Sequence, residues 1–245
     1  MSLPRPALSG PASARPDGAA RATAVLLVLG ALTYSAWVLE AVVRTGLDPV
    51  RSYVSELMAT DQPHGDLFRA SDLTAGLLVL AAALTALWSG RRARPGRLVR
   101  AGWAALALFG AGTAADSRLP LSCTPTADPA CAAREDAGLV PFTHTAHAVS
   151  SSIAMAAAIA AMLLLTYAAR RHGVWRPLAR FGPALVAVEL AATVWTLASV
   201  AAFEAGRDTW ALGAGQRLQV LLVAVWLVLL AVSVVTQVRQ RRERP

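Results

Sequence analysis

Two histidines, His144 and His147, sit three residues apart, and Ser150, Ser151 and Ser152 follow them directly. On a helix beginning at Pro141, a favoured first position, His144, His147 and Ser151 fall at i, i+3 and i+7 and share one face. Imidazoles on adjacent turns can bind one metal ion, with Asp116 or Asp72 as a carboxylate ligand, and zinc suits such a donor set. Alternatively His147 acts as a general base towards Ser151 while a carboxylate orients the ring. Serine one turn away on the same helix is poorly placed for that, so the metal version is geometrically easier. Neither pattern is specific, because the pair lacks the glutamate of an HExxH motif. The bland alternative is a set of polar groups bonded to loops and water at a membrane surface.

The elements that must position these residues are membrane spans. The chain of 245 residues is 56% hydrophobic and only 16% charged, with a mean hydropathy of +0.49. Soluble domains are nearer half apolar and a quarter charged, and disordered chains are polar and strongly charged. Crossing a bilayer takes about 20 mostly apolar residues. Six stretches qualify: Ala22–Val43, Leu73–Ser89, Ala101–Ala115 continuing through Asp116, Thr145–Ala168, Pro183–Phe203 and Leu218–Thr236. The expected fold is therefore all-α, a six-helix transmembrane bundle over residues 22–236. Residues 1–21, rich in Pro, Ala, Ser and Gly, read as a disordered tail, and 237–245 as a short basic one. The first span lacks a following small-residue cleavage site and reads as an uncleaved signal anchor.

All 23 basic residues are arginine. The N-terminal tail holds three, the connection from Arg91 to Arg100 five, the one from Arg170 to Arg180 four, and the C-terminal tail four. That is sixteen on one side against seven on the other, so the positive-inside rule sends both termini to the cytoplasm of a plasma (inner) membrane protein. The net charge of +8 is then a topology signal. Nucleic acid is not an expected partner, since no soluble face exists to carry a basic patch. Membrane lipids are; nothing in the chain points to a protein partner. The inner connections are too short for a nucleotide-binding module, and no Walker-type loop occurs.

Ionisable residues inside spans are functional candidates by default. Glu40, Asp72, Asp116 and the two histidines all map to outer helix ends, at one depth of the membrane. Glu189 stands apart within the fifth span, with Thr193 and Thr196 extending its face. It reads as a protonated, bonded carboxyl or as a proton relay. Glu40 has Arg44 as an expected partner one turn on.

Two outer loops, 45–71 and 117–143, are long enough to matter. In the first, Asp48, Pro49 and the spacing of Val50, Tyr53, Val54, Leu57 and Met58 predict a short amphipathic helix. A lipid-facing ledge is the favoured reading; a lid presenting Ser52, Ser55 and Glu56 to a cavity is the other. In the second, Cys123 and Cys131 face an oxidising compartment and are expected to form a disulfide. Gly102, Gly110 and Gly112 in the third span predict close helix packing, and Trp88, Trp103, Trp175 and Trp210 read as interfacial anchors.

The run Arg51-Ser-Tyr-Val-Ser-Glu-Leu57 after the first span, Pro63 and Phe68 before the second, Asp116 ending the third and His147 opening the fourth resemble the bacterial membrane family called domain of unknown function 998. The layout is also distantly similar to Frag/Sfk-type six-helix proteins linked to lipid handling. The resemblance covers residues 22–236 and implies six helices with a polar outer site using Ser55, Glu56, Asp116 and His147. It implies no settled reaction. Three functions follow as expectations. One is a lipid or lipid-linked ligand bound at Ser55, Glu56, Asp72, Asp116 and His147. Another is a membrane hydrolase whose metal on His144, His147 and Asp116 activates water, with Glu56, Asp116, His147 and Ser151 as catalytic candidates. The last is a proton-coupled transporter using Glu189, although no repeat or broken midplane helix supports it.

Overall fold

The computed structural model describes residues 14–93 and 96–243. Most of the stretch read as a disordered tail, residues 1–13, lies outside the described residues, and the first helix already begins at Ala14. The helices are α1 (Ala14–Tyr34), α2 (Gly65–Ala93), α3 (Arg97–Asp116), α4 (Pro129–Asp136), α5 (Phe142–His172), α6 (Arg176–Glu204) and α7 (Leu212–Arg242). No strand occurs among the described residues. All but α4 are long and apolar enough to cross a membrane, as the sequence predicts.

Several helices overrun the apolar stretches that announce them. The fifth span begins at Arg176, with Pro177 in the first turn and Pro183 inside the helix. Similarly α2 begins at Gly65, where the sequence suggests Leu73. The backbone hydrogen-bond ladder continues past the hydrocarbon edge wherever side chains find polar partners. Asp72 therefore lies about two turns inside α2, and Glu189 lies near the middle of α6. In α5 the left-handed Gly173 (φ 61°) supplies a helix stop after Arg170, Arg171 and His172. Asp128 caps α4, accepting from Ala130 N–H at 2.9 Å ahead of Pro129.

Side by side, the six long helices close a ring: α1 packs on α2, α2 on α3, α3 on α5, α5 on α6, α6 on α7 and α7 back on α1. The two ends of the ring differ. Towards the arginine-rich connections it is filled by Leu27, Leu106, Phe109, Leu165, Trp226 and Leu230, all nearly inaccessible. Trp103 belongs to this buried end, edge-on to Trp175 at 6.3 Å, and so does not sit at the surface as an anchor. Many large apolar side chains face outward instead, among them Leu32, Leu84, Leu108 and Val194. In water such a belt would be unfavourable; in hydrocarbon it is the expected exterior. The protein is a multi-pass membrane protein.

The close packing predicted for α3 occurs on two faces. A Cβ on Gly110 would lie 2.5 Å from Leu80 N and 2.7 Å from Gly76 O of α2, and one on Gly112 would lie 2.9 Å from Ala154 Cβ of α5. Gly110→Val must push two backbones apart and should lower stability by about 1–3 kcal/mol. Thermal unfolding in detergent checks this against Gly18→Ala, where the added methyl meets nothing within 4 Å. A Gly110→Val protein as stable as the control would overturn the packing argument.

Candidate functional site

The opposite end of the ring holds a cavity of about 530 Å³ to which every long helix contributes. Its polar lining includes Tyr34, Trp37, Ser55, Asp72, Asp116, His147, Ser151 and Glu204, and its apolar lining includes Met155, Ile159, Leu197 and Val220. The structure thus gathers five sequence-predicted residues, Ser55, Asp72, Asp116, His147 and Ser151, around one space.

Asp116 organises the polar side. Its Oδ1 accepts from the Ser150 hydroxyl and lies 3.2 Å from His147 Nδ1, and its Oδ2 accepts from Ser151 Oγ at 2.7 Å. His147 Nδ1 is also 2.9 Å from the Leu119 carbonyl. Two acceptors around Nδ1 fix the proton there, leaving Nε2 with a free lone pair in the neutral ring. That Nε2 is buried and has no partner in the protein. The dyad can accept a proton or a hydrogen bond from whatever enters the cavity. Ser151 donates to Asp116 rather than to His147, which leaves no prepared serine nucleophile.

His144 belongs elsewhere. Its Nδ1 accepts from Ser122 N–H at 3.1 Å, which places its proton on Nε2, 3.4 Å from Glu135 Oε1. The two imidazoles thus carry opposite tautomers and serve different partners. Among the described residues no group of three His, Cys, Asp or Glu side chains converges as a metal site. Of the expected trio, His147 and Asp116 meet at 3.2 Å while His144 turns to Ser122 and Glu135.

The predicted ledge is corrected too. Asp48 accepts from Val50 N–H at 2.8 Å, but the turn it caps does not continue as an α-helix; a 3-10 turn follows at Val54–Met58. Ser52, Glu56 and Leu57 are buried, with Leu57 and Met58 packed on Phe68. The segment folds over the bundle, where Ser55 lines the cavity. Glu56 does not reach the cavity: Thr126 donates to it twice, from N–H at 2.7 Å and from its hydroxyl. Thr60 N–H donates to the Leu121 carbonyl at 2.9 Å, tying the same two loops again. Cys123 and Cys131 form the expected disulfide between buried positions, holding the second loop compact.

Three partners escape sequence reasoning because they lie far along the chain. Arg217 forms a two-pronged pair with Glu40, 2.6 Å from each oxygen, in place of the expected Arg44. Its Nη1 also donates to the carbonyls of Ser52 and Gly213. Gln219 donates to Thr193 Oγ1 at 2.9 Å and approaches Glu189 Oε1 at 3.5 Å. The sequence signal for Arg217 and Gln219 was their polarity at the head of an apolar run; for Thr126 there was none.

Burial pushes the Glu56 carboxyl above the usual range, partly opposed by the bonds from Thr126. A carboxyl that holds its proton more tightly when folded contributes fully below the ordinary glutamate pKa of about 4, and loses that contribution as pH rises through the folded value. The melting temperature of the wild type should therefore fall relative to Glu56→Gln as pH is raised from about 4 towards neutrality. A difference that stays flat or runs the other way would contradict the burial assignment.

No curated protein and no solved structure matches the chain. A family model does, over residues 13–233, nearly the whole described bundle. The chain belongs to that family, described as protein of unknown function (DUF998).

Proposed function

We propose that the protein binds a lipid or lipid-linked amphiphile in the cavity at the loop end of the ring. The observation that carries this reading is how the lining is divided. Asp72, Asp116 and His147 gather at the level of the loops, whereas Met155, Ile159 and Val220 line it deeper along their helices. A polar head and an apolar tail would each find matching walls. Further support comes from α5 and α6: Ser152, Ala156, Leu197 and Glu204 line the cavity and are exposed. In a bilayer that flank adjoins lipid, giving a tail a route of entry between two helices.

Filling the apolar part tests the reading. Wild type purified in mild detergent should carry about one extractable lipid per chain by mass spectrometry, and Ile159→Trp or Met155→Trp should carry far less while melting normally. Equal lipid in all three would sink the proposal. We also infer that the arginine-rich end faces the cytoplasm of a bacterial inner membrane, so the cavity serves the outer leaflet. A reporter fused after Pro245 should then be active only in the cytoplasm, and an exported signal would reverse the map.

A further inference from the structure

The chain carries 23 arginines and a net charge of +8, yet its cavity is lined by Asp72, Asp116, Glu135 and Glu204 and by no arginine. Carboxylates alone do not define a site, so the hydrogen bonds around them decide the matter. Ser151 already donates to Asp116, Ser71 to the Phe68 carbonyl, Ser152 to the Ala148 carbonyl and Gln219 to Thr193. These donors are committed to the protein's own acceptors, while Trp37 Nε1 and Thr196 Oγ1 in the same lining are buried without a partner. The carboxylates differ in how far the protein meets them. Asp72 and Glu204 make no hydrogen bond or ion pair among the described residues, and Asp72 stands close enough to Asp116 for their charges to interact. His147 is 4% exposed, lines the cavity, and keeps the Nε2 lone pair unpartnered. Tyr34, Trp37 and Tyr53 also line the cavity.

We infer that the amphiphile bound here carries a cationic, hydrogen-bond-donating head of the amine class, with Asp72 as its counter-ion and His147 Nε2 as a further acceptor. The inference rests on the cavity being a lipid site, as proposed above. An ammonium N–H donor would satisfy acceptors that the protein leaves open, and its charge would relieve the repulsion between Asp72 and Asp116. Aromatic faces attract the same cation. A phosphate or carboxylate head would instead enter against four carboxylates with no arginine to receive it, although arginine abounds elsewhere in the chain. The protein's Asp116 is occupied by its own donors and is a positioning residue for His147; Asp72 is the group that touches the ligand.

The test uses three probes with one tail: hexadecylamine, hexadecanol and hexadecyl phosphate, bound to the full chain in lipid nanodiscs. Ile159→Trp supplies the background due to partitioning into the bilayer. We expect the amine to bind at least about 10-fold more tightly than either other probe. Asp72→Asn should weaken the amine by about 10- to 100-fold without affecting the alcohol, because a charge-assisted bond is lost. Asp72 makes no bond within the protein, so its replacement should leave the fold intact, which a melting curve confirms. Glu204→Gln, at an exposed position on the rim, provides a second and smaller loss confined to the amine. If all three probes bind alike and Ile159→Trp abolishes them, the cavity reading stands and the amine inference fails. Preference for the phosphate overturns the inference equally. If no probe binds above the Ile159→Trp background, both readings fall together.

Discussion

The site depends on how closely α3 is allowed to approach its neighbours. Gly110 of α3 and Gly76 of α2 bring two backbones so near that neither position has room for a methyl group. On its other face, Gly112 of α3 meets Ala154 of α5. Both contacts lie within two turns of Asp116, and they fix its position between Asp72 on α2 and Ser150 and Ser151 on α5. Without a hydrophobic driving force between helices in lipid, such small-residue contacts are the main means of setting a helix at a defined height and rotation. A carboxylate at the end of α3 then has three donors waiting for it.

Several carboxylates of this protein differ in what meets them; Glu189, buried with its Oε2 unpartnered and only Gln219 at 3.5 Å from Oε1, stands apart. Glu40 has the Arg217 fork, Glu56 has the N–H and hydroxyl of Thr126, and Asp116 has two serines and an imidazole. Each is compensated where it is buried, as the cost of desolvating a charge requires. Breaking such a pair by removing one partner leaves an uncompensated charge behind. Asp72 and Glu204 have no such partners, and both line the cavity. Both would meet the cationic head proposed above.

The sequence disclosed what periodicity and local chemistry encode. Apolar runs gave six spans, three glycines announced the packing of α3, and two cysteines on one short loop announced their bond. Of the five residues read at one depth, Asp72, Asp116 and His147 line one space, whereas Glu40 pairs with Arg217 and His144 accepts from Ser122. Which face each side chain presents is another matter. Spacing places His144 and His147 on one stripe, yet the loops draw them to Ser122 and Glu135 on one hand and Leu119 and Asp116 on the other. Glu40 and Arg217 are separated by 177 positions, and no local rule chooses that arginine over Arg44. The first loop misled because its apolar residues match a helical period while their burial against Phe68 favours a tighter turn.

The two ends of the ring together suggest why access should come from the side. At the arginine-rich end the interior is filled by Phe109, Trp226 and leucines, all nearly inaccessible. At the other end the loops are tied down by the disulfide, by the two hydrogen bonds that Thr126 donates to Glu56, and by the one that Thr60 N–H donates to the Leu121 carbonyl. The bonds of Thr126 to Glu56 and of Thr60 to Leu121 join the two loops, and the disulfide holds the second loop compact. Opening along the axis would break several of them at once and expose Glu56 and its donors. Between α5 and α6, by contrast, the cavity reaches exposed small or apolar side chains, Ala156 and Leu197, whose contacts can be exchanged for contacts with lipid tails at little cost. A ligand that never leaves the bilayer needs no other entrance.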